Sequence, residues 1–214
     1  MNRRKLFTAA GLLAATALFP LASQAQLRAG ADYSELKAVQ PVEVPGKIEV
    51  IEFFWYGCPH CYRLEPLLED WVKKLPPDVV FRRIPAVLSD SWAVHARFFY
   101  AFEAMGVLDR VHRAFFDAIH RDHLALNNES AMNEWFRKNG IDRKKFDETV
   151  RSFGVLAKVK RAAQLSAAFQ VDGVPMLAVQ GRYTLSAEQA GSHERMLANA
   201  DQLIALARKG LAKK

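Results

Sequence analysis

The chain has 214 residues, half of them hydrophobic and a quarter charged, which suits one globular domain, with or without an insertion, around an ample core. Its 30 Lys and Arg against 23 Asp and Glu give a net charge of +7; setting aside Arg3, Arg4 and Lys5 leaves 27 against 23, a net +4. No dense basic block remains, since Lys144-Lys145 and Lys158 to Arg161 read as solvated helix faces, so a nucleic-acid partner is excluded from the expectation.

Residues 1–25 read as a cleaved signal peptide. Arg3, Arg4 and Lys5 form a positive n-region, Leu12 to Ala22 an apolar h-region broken by Pro20, and Ser23-Gln24-Ala25 supplies the small residues of a cleavage site before Gln26. The apolar run is short for a membrane span. Arg3-Arg4 ahead of Leu6-Phe7 leaves the twin-arginine and general export routes both open. Localisation outside the cytoplasm follows.

Residues 48–55, Ile-Glu-Val-Ile-Glu-Phe-Phe-Trp, read as a strand buried on both faces, central in a parallel sheet. Gly57 allows a sharp turn, and Pro59 suits the first turn of a helix that runs through Leu64, Leu68 and Trp71 to the stop at Pro76-Pro77, with a kink expected at Pro66. Val79 to Ile84 is the next strand, completing a strand–helix–strand crossover unit.

A helical stretch follows. Trp92, Phe99 and Phe102 mark one helix, closed by Gly106, and Leu108, Val111, Phe115 and Ile119 mark the next. Asn128 caps a third, which ends at Asn139-Gly140; Asp142 caps a fourth containing Phe146, Val150 and Phe153 and closed by Gly154; residues 155–169 form a fifth. The aromatic stripes are core-facing surfaces rather than a cofactor box. Met176 to Val179, a turn at Gln180-Gly181-Arg182, and Tyr183 to Leu185 predict a hairpin, and a last helix begins near Ser192. No internal repeat or low-complexity linker is evident.

Cys58 and Cys61 are the only cysteines. A structural bridge between them would close a tiny loop worth about 2 kcal/mol, which a chain with this much core does not need. At a strand–helix junction, Cys-x-x-Cys is a redox motif. Cys58 meets the helix N-terminus, where free N–H groups favour an anion, and is the expected nucleophile; Cys61, one turn in, is the expected buried resolving thiol. A zinc half-site is the competing reading, but no second Cys-x-x-Cys exists. His120 and His123, one turn apart on an expected helix with His112 two turns earlier, read as a helix face, and no metal or other cofactor is expected. His60, between the cysteines, is positioned to offer a hydrogen bond or positive charge to the Cys58 sulfur.

The segment Phe53-Phe54-Trp55-Tyr56-Gly57-Cys58-Pro59-His60-Cys61, the signal peptide, the helical stretch and Gly173-Val174-Pro175 together resemble the DsbA family of the thioredoxin superfamily over nearly all of the mature chain. The resemblance implies an α/β thioredoxin fold with an inserted α-helical domain: 26–88 and 171–214 as the thioredoxin-like unit and 89–170 as the insertion. It implies a periplasmic monomer that donates its disulfide to reduced, newly exported polypeptides and is reoxidised by a quinone-linked DsbB-type membrane protein. A low Cys58 pKa and an oxidising disulfide, with Pro59 and His60 as tuners, come with it. Val174-Pro175 matches the family's cis-proline loop, which receives substrate backbone, and Glu52 and Glu65 match buried family acids expected to tune the cysteines. A basic partner for those acids is not evident, since Arg82 and Arg83 do not align convincingly. Within the enzymes the rival is a disulfide isomerase or reductase, disfavoured because the stretch from Gln26 to Cys58 has room for a strand and little more. From another class, the rival is a non-catalytic peptide-binding chaperone using the apolar surface around Trp55, Tyr56 and Pro175.

Overall fold

The computed structural model describes residues 27–211. The expected signal peptide and its cleavage site before Gln26 lie outside the described residues.

Strand β2 (Ile48–Phe54) is buried at every position, as a run without alternation requires. Ile51 and Phe53 join one apolar cluster, while Ile48 and Val50 join another with Leu64 and Leu68. Helix α1 (Pro59–Val72) and strand β3 (Val79–Pro85) complete the crossover unit, with Ile48 paired to Val79 and Phe54 to Pro85 in parallel register. Pro66 lies inside α1. β2 is parallel only to β3; its other neighbour, β4 (Met176–Val179), reached after the intervening helices, runs antiparallel, so the sheet is mixed rather than parallel. The hairpin to β5 (Tyr183–Ser186) turns at Gln180 and Gly181, both at positive φ. With β1 (Ser34–Glu35) on the edge, the sheet order is β1-β5-β4-β2-β3.

Between β3 and β4 lie α2 (Asp90–Ala104), α3 (Leu108–His120), α4 (Glu129–Lys138), α5 (Arg143–Thr149) and α6 (Phe153–Ala168). Their aromatic stripes interlock: Phe102, Phe115, Trp135 and Phe146 lie in edge-on or tilted contact within the same cluster that holds Phe53 and Phe54. Asn128 caps α4 by accepting from the Ala131 N–H at 3.0 Å, and Asp142 caps α5 by accepting from Lys145 at 3.0 Å. The fourth helix is shorter than its sequence suggests. Ser152 accepts from the Val155 N–H and starts α6, so Phe153 opens that helix, 87% exposed, and Gly154 lies in its first turn rather than closing the one before.

The chain closes with α7 (Ala187–Ala190) and α8 (His193–Leu211), whose Leu197, Leu203 and Ile204 seal the second cluster against Leu64 and Leu68. Among the described residues no helix is long and apolar enough to cross a membrane.

Candidate active site

The sheet delivers the cysteines to the N-terminus of α1. After β2, the chain turns so that the Cys58 N–H donates to the Trp55 carbonyl at 2.9 Å. The turn is tight at Gly57: a Cβ there would lie 2.3 Å from the Trp55 ring, so only glycine fits under the indole. Trp55 in turn stacks on Trp92 of α2, ring centroids 4.5 Å apart.

Cys58 is the N-cap of α1, with extended backbone, and its Sγ accepts the Cys61 N–H at 3.5 Å. Pro59 occupies the first turn, where its missing N–H leaves no unpaired donor. Cys58 is 7% exposed and Cys61 0%. The Cys58 thiol is pulled down to about 6, chiefly by the Cys61 side chain, then by the N–H groups of Cys61 and His60, with the His60 charge the least of these and burial opposing. Burial pushes Cys61 well above the ordinary thiol range. The His60 ring is exposed, with its Nδ1 meeting Arg63 Nη2 at 2.9 Å, so that residue acts on the sulfur more through its backbone than through its imidazole.

A loop from the other side of the sheet closes over the pair. The Val174–Pro175 peptide is cis, and the Cys58 Sγ–H donates to the Val174 carbonyl at 3.3 Å. A groove of about 590 Å³ runs from His60 past Val174, Pro175 and Met176 to Leu36.

Beneath the cysteines is a charged cluster. Glu52 of β2 and Glu65 of α1 are both fully buried, and Arg83 of β3 joins them: Nε donates to Glu52 at 3.1 Å, and Nη2 donates to Glu65 at 2.5 Å. This is the basic partner that sequence reasoning missed. The signal was there in the register, since Glu52 and Arg83 are direct partners across β2 and β3. Arg82, one residue earlier, pairs instead with Glu49 and Glu43. Burial pushes Glu52 up to about 8, against the pull of Arg83 and with the help of the Glu65 charge. Burial acts upward on Glu65, but the His112 ring, 3.5 Å away, and the Arg83 guanidinium bring it below the usual carboxylate range.

The three histidines do not make a metal site. His120 ends α3 and its Nε2 meets the Tyr56 carbonyl oxygen at 2.7 Å, His112 is buried, and His123 lies beyond the helix at φ 53. Among the described residues no cluster of His, Cys, Asp or Glu could hold a metal.

Residues 78–207 match the DSBA-like thioredoxin domain. That stretch starts after the cysteines, but relatives extend the likeness through them: the thiol:disulfide interchange protein DsbA of Azotobacter vinelandii is 44% identical, covering 94% of this chain and 96% of the relative. The chain belongs to the DsbA family. The DsbA protein of Pseudomonas aeruginosa is 44% identical over 90% of this chain and 92% of its own length, and a DsbA crystal structure from that organism superposes with a TM-score of 0.82 over 88% of this chain and 97% of that chain. The DsbA oxidoreductase of Xylella fastidiosa, at 29% identity, gives 0.78 over 86% and 98%. The fold is therefore the thioredoxin-like DsbA fold, and the chain is a thiol–disulfide oxidoreductase. For a DsbA-family enzyme the reacting atoms are sulfurs, and Cys58 and Cys61 are the only cysteine pair this chain has.

Proposed function

We propose that the chain is a disulfide donor in which Cys58 is the attacked and attacking sulfur and Cys61 the resolving one. The asymmetry between the two thiols carries this reading: Cys58 is drawn down to about 6 while burial drives Cys61 up. Against an ordinary thiol at 9.0, the stable Cys58 thiolate favours the dithiol form at pH 7 by about 1.4 kcal/mol, or about 30 mV of oxidising power.

A substrate thiolate attacks Cys58 Sγ of the oxidised enzyme, forming a substrate–Cys58 disulfide and releasing Cys61 as a thiolate. Buried beside it, Glu52 holds its proton up to about 8 and serves as a proton source for that leaving group, while Glu65 balances the Arg83 charge. The second substrate thiolate then attacks the substrate sulfur of the mixed disulfide, and Cys58 departs as its stabilised thiolate. The substrate is oxidised by two electrons, the enzyme reduced by two, and the substrate's two thiol protons are released, one ending on Cys61. No cofactor enters. Val174 and Pro175 hold the substrate strand, with Pro59 and His60 shaping the first turn around Cys58.

We further infer export by a cleaved segment 1–25 and work in the periplasm as a monomer on reduced, unfolded polypeptides, with reoxidation by a quinone-linked DsbB-type membrane protein. Residues 26–88 and 171–214 form the catalytic unit and 89–170 the helical insertion; the run of α2 to α6 between β3 and β4 supports that division. The purified, oxidised chain mixed with a reduced unfolded protein tests the central reading. Disulfides appear in the substrate as the chain's two thiols become titratable. A chain that only reshuffles scrambled disulfides is an isomerase, and one that binds without transfer is a chaperone; either result overturns the proposal.

A further inference from the structure

One side chain of the helical stretch reaches the charged cluster. His112 of α3 is buried, its Nδ1 lies 2.7 Å from the Tyr56 hydroxyl, and its Nε2, which has no hydrogen-bond partner, faces Glu65 Oε1 across a long 3.5 Å contact. Burial holds the imidazole below its usual range, so the ring is neutral and has one proton to place. If that proton sat on Nδ1, Nε2 would aim a lone pair at a carboxylate oxygen. With the Tyr56 O–H donating to Nδ1, the proton sits on Nε2 and points at Glu65. Only the second tautomer satisfies both contacts. The charged groups around the ring are Glu65 and Glu69 from α1 and Arg83 from β3, with Glu52 of β2 on the far side of Arg83. The remaining faces are closed by the rings of Phe54, Phe99 and Phe116.

One guanidinium therefore serves two buried carboxylates, and the histidine lies against only one of them. We propose that His112 is a positioning residue for disulfide exchange: by pointing its ring proton at Glu65 it makes Glu65 the ionised partner of Arg83 and leaves Glu52 the protonated one, so that a proton rather than a negative charge lies beneath Cys58 and Cys61. Tyr56, two residues before Cys58, fixes the tautomer. The inference rests on the reading of Glu52 as a proton source for the cysteines.

The pH profile of exchange with a reduced peptide separates the two. Wild-type enzyme has an inflection near 8 from Glu52, and Glu52→Gln abolishes it. His112→Phe, which fits the aromatic pocket but donates nothing, lets Glu65 take the proton more readily. Every state with Glu65 ionised, the doubly ionised one included, loses the histidine, so the proton shared by the two acids is held more tightly and the inflection moves up by about one unit, a tenfold change in proton affinity. The same substitution raises the Cys58 pKa, read from thiolate absorbance, by a few tenths of a unit, about twofold in thiolate fraction near pH 6, because Glu52 is then charged beneath it. His112→Gln, whose amide accepts from Tyr56 and donates to Glu65, restores wild-type values. In the Glu52→Gln background, His112→Phe leaves the Cys58 pKa unmoved. Should His112→Phe fail to fold, Tyr56→Phe makes the same test in the same direction. An inflection that Glu52→Gln abolishes but neither His112→Phe nor Tyr56→Phe moves overturns the role of His112 and leaves that of Glu52 standing. A Glu52→Gln profile identical to wild type overturns the Glu52 reading itself, and this inference with it.

Discussion

Arg83 faces Glu52 directly across the parallel β2–β3 pair and donates to it at 3.1 Å while its other arm holds Glu65. A single cation on an edge strand thus reaches both acids of the redox centre, one on the neighbouring strand and one on the active-site helix. Replacing Arg83 by Met leaves the buried Glu65 carboxylate without its counter-ion and the Glu52 carboxyl without its donor, and we expect a loss of roughly 3 kcal/mol in the urea unfolding free energy at pH 7. The loss shrinks as pH falls, because carboxyls whose folded pKa is raised recover their stability below the unfolded value. An Arg83→Met protein equally destabilised at pH 5 and pH 7 would show that the pairing is not its cause.

Glu52 itself gives stability a pH slope. Its folded value is pushed up to about 8 against an ordinary 4.5, so its contribution is fully present below the ordinary value and is lost as pH rises through 8. Glu52→Gln removes the titrating group. The unfolding free energy of the reduced variant should therefore change less than that of wild type between pH 5 and pH 8, the difference being of order a few kcal/mol. Parallel urea titrations at the two pH values measure it.

The sulfur at the head of α1 draws more on its neighbour sulfur than on the histidine between them. Thiolate absorbance should place Cys58 in wild type at about 6. Cys61→Ala, which removes the foremost cause of that value, should raise it further than His60→Ala, which removes the smallest. The reverse order would restore His60 as the principal tuner.

Trapping distinguishes the two cysteines by role. Cys61→Ala keeps the accessible sulfur and loses the resolving one, so substrate complexes should accumulate through Cys58; Cys58→Ala, left with a fully buried thiol, should trap few. Non-reducing gels with peptide mapping of the crosslinks read the outcome.

Much of this was legible in the residues. The unbroken apolar run of β2, the Cys-Pro-His-Cys turn and the caps at Asn128 and Asp142 are local patterns, and each forms where its chemistry demands. The break between α5 and α6 was not, because Phe153 continues the apolar spacing of the preceding helix, while the Ser152 hydroxyl that starts the next one is a single weak signal. The partner of Glu52 was hidden for a different reason. Two adjacent arginines on β3 are equivalent in composition, and only the strand pairing sets Arg83 opposite Glu52 and turns Arg82 to the other face, where it reaches Glu49. The same holds for His112, whose role depends on how a separate run of helices docks onto the sheet.

The chain keeps only two cysteines, three residues apart, and holds its fold by two apolar clusters on either side of one sheet. Oxidation and reduction therefore add or remove no link between distant segments. Around the closed cycle of folding and thiol exchange, whatever makes the folded protein tougher with its sulfurs reduced must reappear, joule for joule, as its urge to hand the disulfide away. Melting the two redox forms side by side thus weighs the enzyme's driving force without any substrate. A second, structural bridge would blur that comparison and expose the protein to mispairing by its own chemistry.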